Sequence, residues 1–354
     1  MEARYNRNGG LTLVPMPGFC DLADKVRNKV ENMGVTPGKE PTSVDVVKPL
    51  FGTRLSGEPF LRLGKDHIGG HDCVVLSSGP GTYQMLLQLF LILRYLAGRR
   101  AQRIAVVTGY LPLGRTDRDE GSLEFALPPL INELLMASSQ GLLDRIIAAD
   151  LHSPQVVMAG RTGLITEVSL VRRLLSKATD EARKRTDRIC LALPDDGAAK
   201  RIENAFDEVE KKLNTRLPIV FGAKRRTSSR ESSLKQLFGD LDALRDAHVI
   251  LLDDEIASGG TNLKTALALK RDYGAKQVWA AATHGVFCGE APTLFLAPDC
   301  QVDRIFVTDT IPLEPRAELA PLLQSGKLAV VSWWEDLAWM VYHHHWDKSI
   351  REMR

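Results

Sequence analysis

The chain has 354 residues, with 44% hydrophobic and 25% charged residues, an ordinary balance for a globular protein with room for two domains. A net charge of +2, with both signs mixed along the chain, gives no bulk electrostatic case for a nucleic-acid partner, although a nucleotide pocket needs only a few basic groups. Five cysteines are widely spaced with no C-x-x-C pair, which argues against a disulfide framework or a zinc knuckle. The polar N-terminus is no signal peptide, and Met85 to Ala97, broken by Gln88 and Arg94, falls short of a membrane span. The expectation is a cytoplasmic protein with no membrane partner.

In chain order, short apolar runs predict strands at Cys73–Ser77, Arg103–Thr108, Arg145–Ala149, Ile189–Leu193, His248–Leu252, Gln277–Ala282 and Arg304–Thr308. Amphipathic segments between them predict helices at Tyr83–Ala97, Ala126–Ser138, Glu167–Arg185, Ala198–Asn214 and Asn262–Tyr273. The alternation reads as α/β with mostly parallel sheets flanked by helices, repeated in both halves. The expected division is an N-terminal domain over 1–160, a second over 161–315, and a helical extension over 316–354. Thr227–Lys235, rich in Ser and Arg, reads as a mobile loop.

Several predicted strands end in polar clusters, and ligands of parallel sheets bind at the carboxyl ends of strands. The most informative is Asp253-Asp254-Glu255-Ile256-Ala257-Ser258-Gly259-Gly260-Thr261, between a strand and a helix. Glycines let backbone N–H groups approach an anion, the helix dipole favours it, and Ser258 and Thr261 add hydroxyls. The adjacent carboxylates can accept hydrogen bonds from sugar hydroxyls, so the stretch describes a sugar-phosphate cradle. Further candidates are Gly109 to Arg118 with Arg115, Asp117 and Arg118; Asp150-Leu151-His152; Pro194-Asp195-Asp196-Gly197; and Lys224-Arg225-Arg226 after an apolar strand. His343-His344-His345 point in different directions on a helix and lack the i,i+4 spacing of a metal pair.

Taken together, and in this order, these motifs over residues 70–310 resemble the ribose-phosphate pyrophosphokinases. They look closest to the plant-type second class, which as a family property does not depend on phosphate as activator. The resemblance implies two type I phosphoribosyltransferase-like domains, the first on the ATP side. It implies transfer of the pyrophosphoryl group of ATP to the anomeric hydroxyl of ribose 5-phosphate, with Mg²⁺. ATP would be held by Arg115, Asp117, Arg118, His152 and Glu58, the last in Leu55-Ser56-Gly57-Glu58, a reduced form of the family's adenine loop. Ribose 5-phosphate would be held by Asp195, Asp253, Asp254, Ala257, Ser258, Gly259, Gly260 and Thr261. Lys224 and Arg226 would act on the transferring group, and His152 and Asp195 would lie at the metal.

The resemblance also implies a dimer-based homo-oligomer, extending to a trimer or hexamer. Ala257 stands where the family usually has an acid, Thr116 where Gln is common, and no residue stands out as a general base. Open alternatives are a phosphoribosyltransferase, a catalytically silent regulatory homologue, and a pyrophosphokinase for another acceptor ending in a phosphorylated ribose.

Overall fold

The structure is a computed structural model that describes residues 9–64, 67–117, 125–193, 196–228, 231–313 and 316–353, with the side chains of 194–202, 223–236 and 352 left undescribed. It divides into two compact units: Met1–Ser169 with Trp333–Arg354, and Leu170–Ser332. The boundary therefore falls at 169–170 rather than at 160–161. Residues 316–354 are not one separate extension but are shared between the units.

The first unit runs β1 (Leu11–Pro15), α1 (Cys20–Met33), β2 (Val44–Val46), β3 (Pro49–Thr53), β4 (Pro59–Leu63), β5 (Asp72–Ser77), α2 (Tyr83–Gly98), β6 (Arg103–Thr108), α3 (Pro128–Ser138), β7 (Leu143–Ala149) and β8 (Ile165–Val168). Six of these strands form a parallel sheet in the order β2-β1-β5-β6-β7-β8. Every residue of β5 is buried, as a central parallel strand covered on both faces requires. The β3–β4 hairpin is an antiparallel sheet of its own. Helix α2 begins at Thr82, whose hydroxyl accepts a hydrogen bond from the Met85 N–H at 3.3 Å.

The second unit runs α4 (Val171–Arg183), β9 (Ile189–Leu193), α5 (Asp196–Leu213), β10 (Ile219–Ser228), β11 (Glu231–Gly239), β12 (His248–Ile256), α6 (Gly260–Tyr273), β13 (Gln277–Gly285), α7 (Ala291–Leu296), β14 (Arg304–Thr308), α8 (Ala320–Gln324) and β15 (Leu328–Val331). Its sheet order is β11-β10-β9-β12-β13-β14-β15, parallel except where β11 returns along β10. Strand alternation sorts the core onto two faces. Val249 and Leu251 join Ala266 and Leu269 of α6 on one face. Ile250 and Leu252 join Leu174 of α4 and Phe206 of α5 on the other.

Three expectations are corrected here. Glu167 and Val168 belong to β8, so the helix expected from Glu167 begins at Val171. The pattern after Pro315 is not all helical, because Leu328–Val331 pairs with β14. The expected loop Thr227–Lys235 is instead part of a hairpin: Thr227 and Ser228 end β10, Glu231 to Lys235 begin β11, and Ser228 pairs with Glu231. Backbone pairing at the sheet edge outweighs the weak strand propensity of its Ser and Arg residues.

The last helix, α9 (Trp334–His345), returns to the first unit and buries Leu337, Met340, Val341 and Tyr342. The Tyr342 hydroxyl donates to Glu40 Oε2 at 2.6 Å and accepts from the Glu40 N–H at 2.7 Å. Burial pushes the Glu40 carboxyl up, but hydrogen bonds from Lys348 and Tyr342 outweigh it and hold it at about 2. Among the described residues, no helix is long and apolar enough to cross a membrane.

Candidate active site

The apolar run of β12 ends in Asp253 and Asp254, both only partly buried where the strand leaves the core. The Asp254 N–H donates to Asp253 Oδ1 at 3.0 Å, which orients the first carboxylate. The chain then turns through Ala257 and Ser258 to Gly259, whose φ of 76° lies in the left-handed region. A Cβ there would sit 2.6 Å from the Phe295 ring, so both backbone sign and space require glycine.

Helix α6 follows at Gly260, and no side chain caps its first N–H groups. Uncapped donors at a positive helix end form an anion site, and Ser258 and Thr261 are exposed beside them. The turn is held from below by bonds from the Phe287 N–H to the Ile256 carbonyl at 2.9 Å and from the Cys288 N–H to the Ala257 carbonyl at 3.1 Å. Arg316 extends this support, donating to the carbonyls of Gly285 at 3.1 Å and Phe287 at 2.8 Å. Phe295 and Arg316 escaped the reading of the sequence; a phenylalanine and a lone arginine carry no local signal that they buttress a distant turn. This half-site can hold a phosphate on backbone donors and sugar hydroxyls on carboxylates.

In the first unit, the chain leaves β6 through a turn built on its own backbone. The Tyr110 N–H donates to Ser78 Oγ at 2.7 Å, and the Thr108 hydroxyl donates to the Tyr110 carbonyl at 2.8 Å. Leu113 has φ 59°, and the Thr116 hydroxyl donates to the Leu113 carbonyl at 2.7 Å. This conformation leaves Arg115 exposed and Asp117 partly buried. The neighbouring strand β7 ends in Asp150, a non-glycine residue with φ 35°, held by its N–H to the Val168 carbonyl at 2.9 Å. The Leu151 N–H donates to Glu167 Oε1 at 2.8 Å, and His152 is exposed.

The Ala149 N–H bonds the Gly109 carbonyl at 3.2 Å, so the turns carrying Arg115 and His152 issue from adjacent strand ends. Glu58 is on the β3–β4 turn, exposed, with Oε2 accepting from the Ser56 hydroxyl at 2.9 Å. Asp195 and Arg118 lie outside the described residues. Lys224 and Arg226 are described in backbone only, on β10 opposite Leu234 and Ser232.

The family model described as phosphoribosyl synthetase-associated domain matches residues 228–332. The chain is 31% identical over 293 residues to the ribose-phosphate pyrophosphokinase of Buchnera aphidicola, covering 81% of this chain and 87% of that protein. It is 32% identical over 267 residues to that of Haemophilus ducreyi, covering 74% and 78%. Among solved structures it is similar to the phosphoribosylpyrophosphate synthetase of Mycobacterium smegmatis, with 26% identity, 95% and 98% coverage and a TM-score of 0.73.

Proposed function

Because the chain belongs to the ribose-phosphate pyrophosphokinase family and makes 5-phosphoribosyl 1-pyrophosphate from ribose 5-phosphate and ATP, we propose that the sugar phosphate binds at the end of β12. The observation that carries this reading is the uncapped amino end of α6 directly after two carboxylates, with Gly259 fixed in the left-handed region against Phe295. The 5-phosphate takes the N–H groups and hydroxyls from Ser258 to Thr261, beside Ala257. Asp253 and Asp254 accept from ribose hydroxyls and so orient the anomeric hydroxyl for attack. ATP is held by the first unit through Arg115, Asp117, Arg118 and His152, with Glu58 toward the base.

The anomeric oxygen attacks the β-phosphorus, the bond from that phosphorus to the oxygen of the α-phosphate breaks, and AMP leaves. Such a transfer is accelerated by positioning and by donors that meet charge as it moves, which is the role proposed for Lys224 and Arg226. Mg²⁺ suits these half-sites, since it takes oxygen ligands and Asp150, Asp253 and Asp254 are only partly buried. When bound it would offset charge on the ATP oxygens, with His152 and Asp195 holding it directly or through water. Release of AMP is the test of attack at the β-phosphorus: the mixture of Mg-ATP and ribose 5-phosphate gives AMP, and ADP as the main product would contradict the reading.

A dimer-based homo-oligomer, up to a trimer or hexamer, and a cytoplasmic location belong to the same proposal. An apolar stripe supports the assembly: Tyr83 and Leu87 one turn apart on α2, and Leu130 and Leu134 one turn apart on α3, are all exposed. Light scattering on the purified protein checks it, and a monomer would refute it.

A further inference from the structure

Strands β6 and β7 begin at the opposite edge of their sheet from the turns carrying Arg115 and His152. At that amino-terminal edge lies a cavity of about 740 Å³, whose lining includes Arg103, Asp144, Arg145, Arg161, His344 and Lys348. Its volume is in the range of small-molecule sites. Two of its cations are already matched. Arg103 forks onto Asp72, with Nε to Oδ1 at 3.1 Å and Nη2 to Oδ2 at 2.6 Å, and pairs with Asp347 at 2.8 Å. Lys348 pairs with Glu40.

The other two are not. Among the described residues, no carboxylate pairs with Arg145 or Arg161. Arg161 donates only to the carbonyls of Leu143 and Asp144, at 3.3 and 3.2 Å, and the buried Nε of Arg145 has no hydrogen-bond partner. Against both stands Asp144, and because Arg103 carries a second carboxylate in Asp347, the charged groups around the cavity balance while these two guanidinium groups keep no paired carboxylate of their own. The third unmatched group is His344, only 3% exposed, whose Nε2 has no hydrogen-bond partner and stands 4.0 Å from Asp72 Oδ1. A buried polar atom left without a partner is costly, and here two such atoms belong to residues lining one polar cavity.

We propose that this cavity is a second ligand site, which takes a small hydroxylated metabolite by its oxyanion group, a phosphate monoester or a carboxylate. The anion lies on the planar forks of Arg145 and Arg161, whose geometry matches either group. His344 Nε2 completes the contacts. Asp144 accepts from a ligand hydroxyl, which favours a hydroxyl-bearing molecule over bare phosphate. The site is separate from the catalytic half-sites, so its occupant need be neither substrate nor product.

Burial holds the His344 imidazole at about 4, with Asp72 and Asp144 opposing and Arg103 and Arg145 reinforcing. Its resonance among the 8 histidines of the chain is assigned by its loss in His344→Gln. The experiment is histidine ¹³C NMR of the full chain, titrated separately with inorganic phosphate, glycerol 3-phosphate and citrate, with exposed His152 as the reporter of the catalytic half-site. The expected result is a saturable shift of the His344 resonance and a raised titration midpoint, with glycerol 3-phosphate or citrate stronger than phosphate. Whichever of the two binds more tightly identifies the oxyanion.

The variant carrying Arg145→Gln and Arg161→Gln should lose affinity by at least about tenfold while keeping its turnover of ATP and ribose 5-phosphate. No saturable shift with any probe would overturn the proposal, as would equal affinity in the variant. If the variant melts early, the wild type still decides: a shift of the His152 resonance with His344 unmoved assigns binding to the catalytic half-sites and refutes a second site.

Discussion

The two units repeat one topology and put it to different use. Sheet order β2-β1-β5-β6-β7-β8 in the first corresponds to β10-β9-β12-β13-β14-β15 in the second, which adds β11 at its edge. The loop after β5, Ser77-Ser78-Gly79-Pro80-Gly81-Thr82, thus corresponds to the loop after β12. In the first unit that loop satisfies its neighbours: Thr82 caps α2, Ser78 accepts from the Tyr110 N–H, and the Pro80 carbonyl accepts from the Leu113 N–H at 3.3 Å. In the second, two acids replace the serines and no side chain caps α6. On the proposed reading, the second junction takes a ligand because its helix donors are left for something outside the fold.

The largest expected effect comes from the second unit's hairpin. Lys224→Ala should lower kcat by on the order of 100-fold, about 3 kcal/mol in the transition state, with smaller changes in substrate binding. Turnover near wild type in both Lys224→Ala and Arg226→Ala would remove the hairpin from the mechanism. Next, Gly259→Ala should cost about 1–3 kcal/mol of stability and weaken ribose 5-phosphate binding, because a Cβ meets both the left-handed backbone and the Phe295 ring. Gly81→Ala, at φ 91° with its nearest obstacle the movable end of Leu113 at 2.9 Å, should cost less. Equal melting temperatures for the two variants would erase the contrast between the loops.

A pH effect separates the units further. The His344 imidazole is held at about 4 against an ordinary 6.5, so the unfolded chain binds more protons between those values. Stability in the first unit should therefore be complete above pH 6.5 and fall as pH drops toward 4. Burial also lowers His248 in the second unit, which adds to the same trend. Melts across this window should show a slope that shrinks in His344→Gln; an unchanged slope would assign it elsewhere. The smallest effect belongs to the first unit's cap. Thr82→Ala should cost about 1 kcal/mol or less, since one orphan donor is returned to solvent, and calorimetry showing no loss would mean that the cap contributes nothing.

Where burial dictated residue type, the fold was legible. Arg103–Thr108, Ile189–Leu193 and Arg304–Thr308 are strands with the expected bounds, because parallel strands covered on both faces must be apolar throughout. Helix α6 and the turn before it were legible because glycine and adjacent acids are chemically costly without a ligand. Short β2 and β15 were not, since three or four residues carry no period to read. The histidine tail was legible only in part: that His345 Nδ1 would lie 2.9 Å from Asp72 Oδ2 depends on chain return across hundreds of residues. The supports Phe295 and Arg316 depend on tertiary placement in the same way.

Isothermal titration of the Asp254→Asn variant with ribose 5-phosphate and, separately, with Mg-ATP tests the division of labour between the two loops most directly. Replacing a carboxylate that accepts from ribose hydroxyls should weaken ribose 5-phosphate binding by at least about tenfold, or 1.4 kcal/mol, and leave Mg-ATP affinity near wild type. Lost Mg-ATP affinity with ribose 5-phosphate binding intact would mean that the second unit's open loop holds the nucleotide, and would contradict the account.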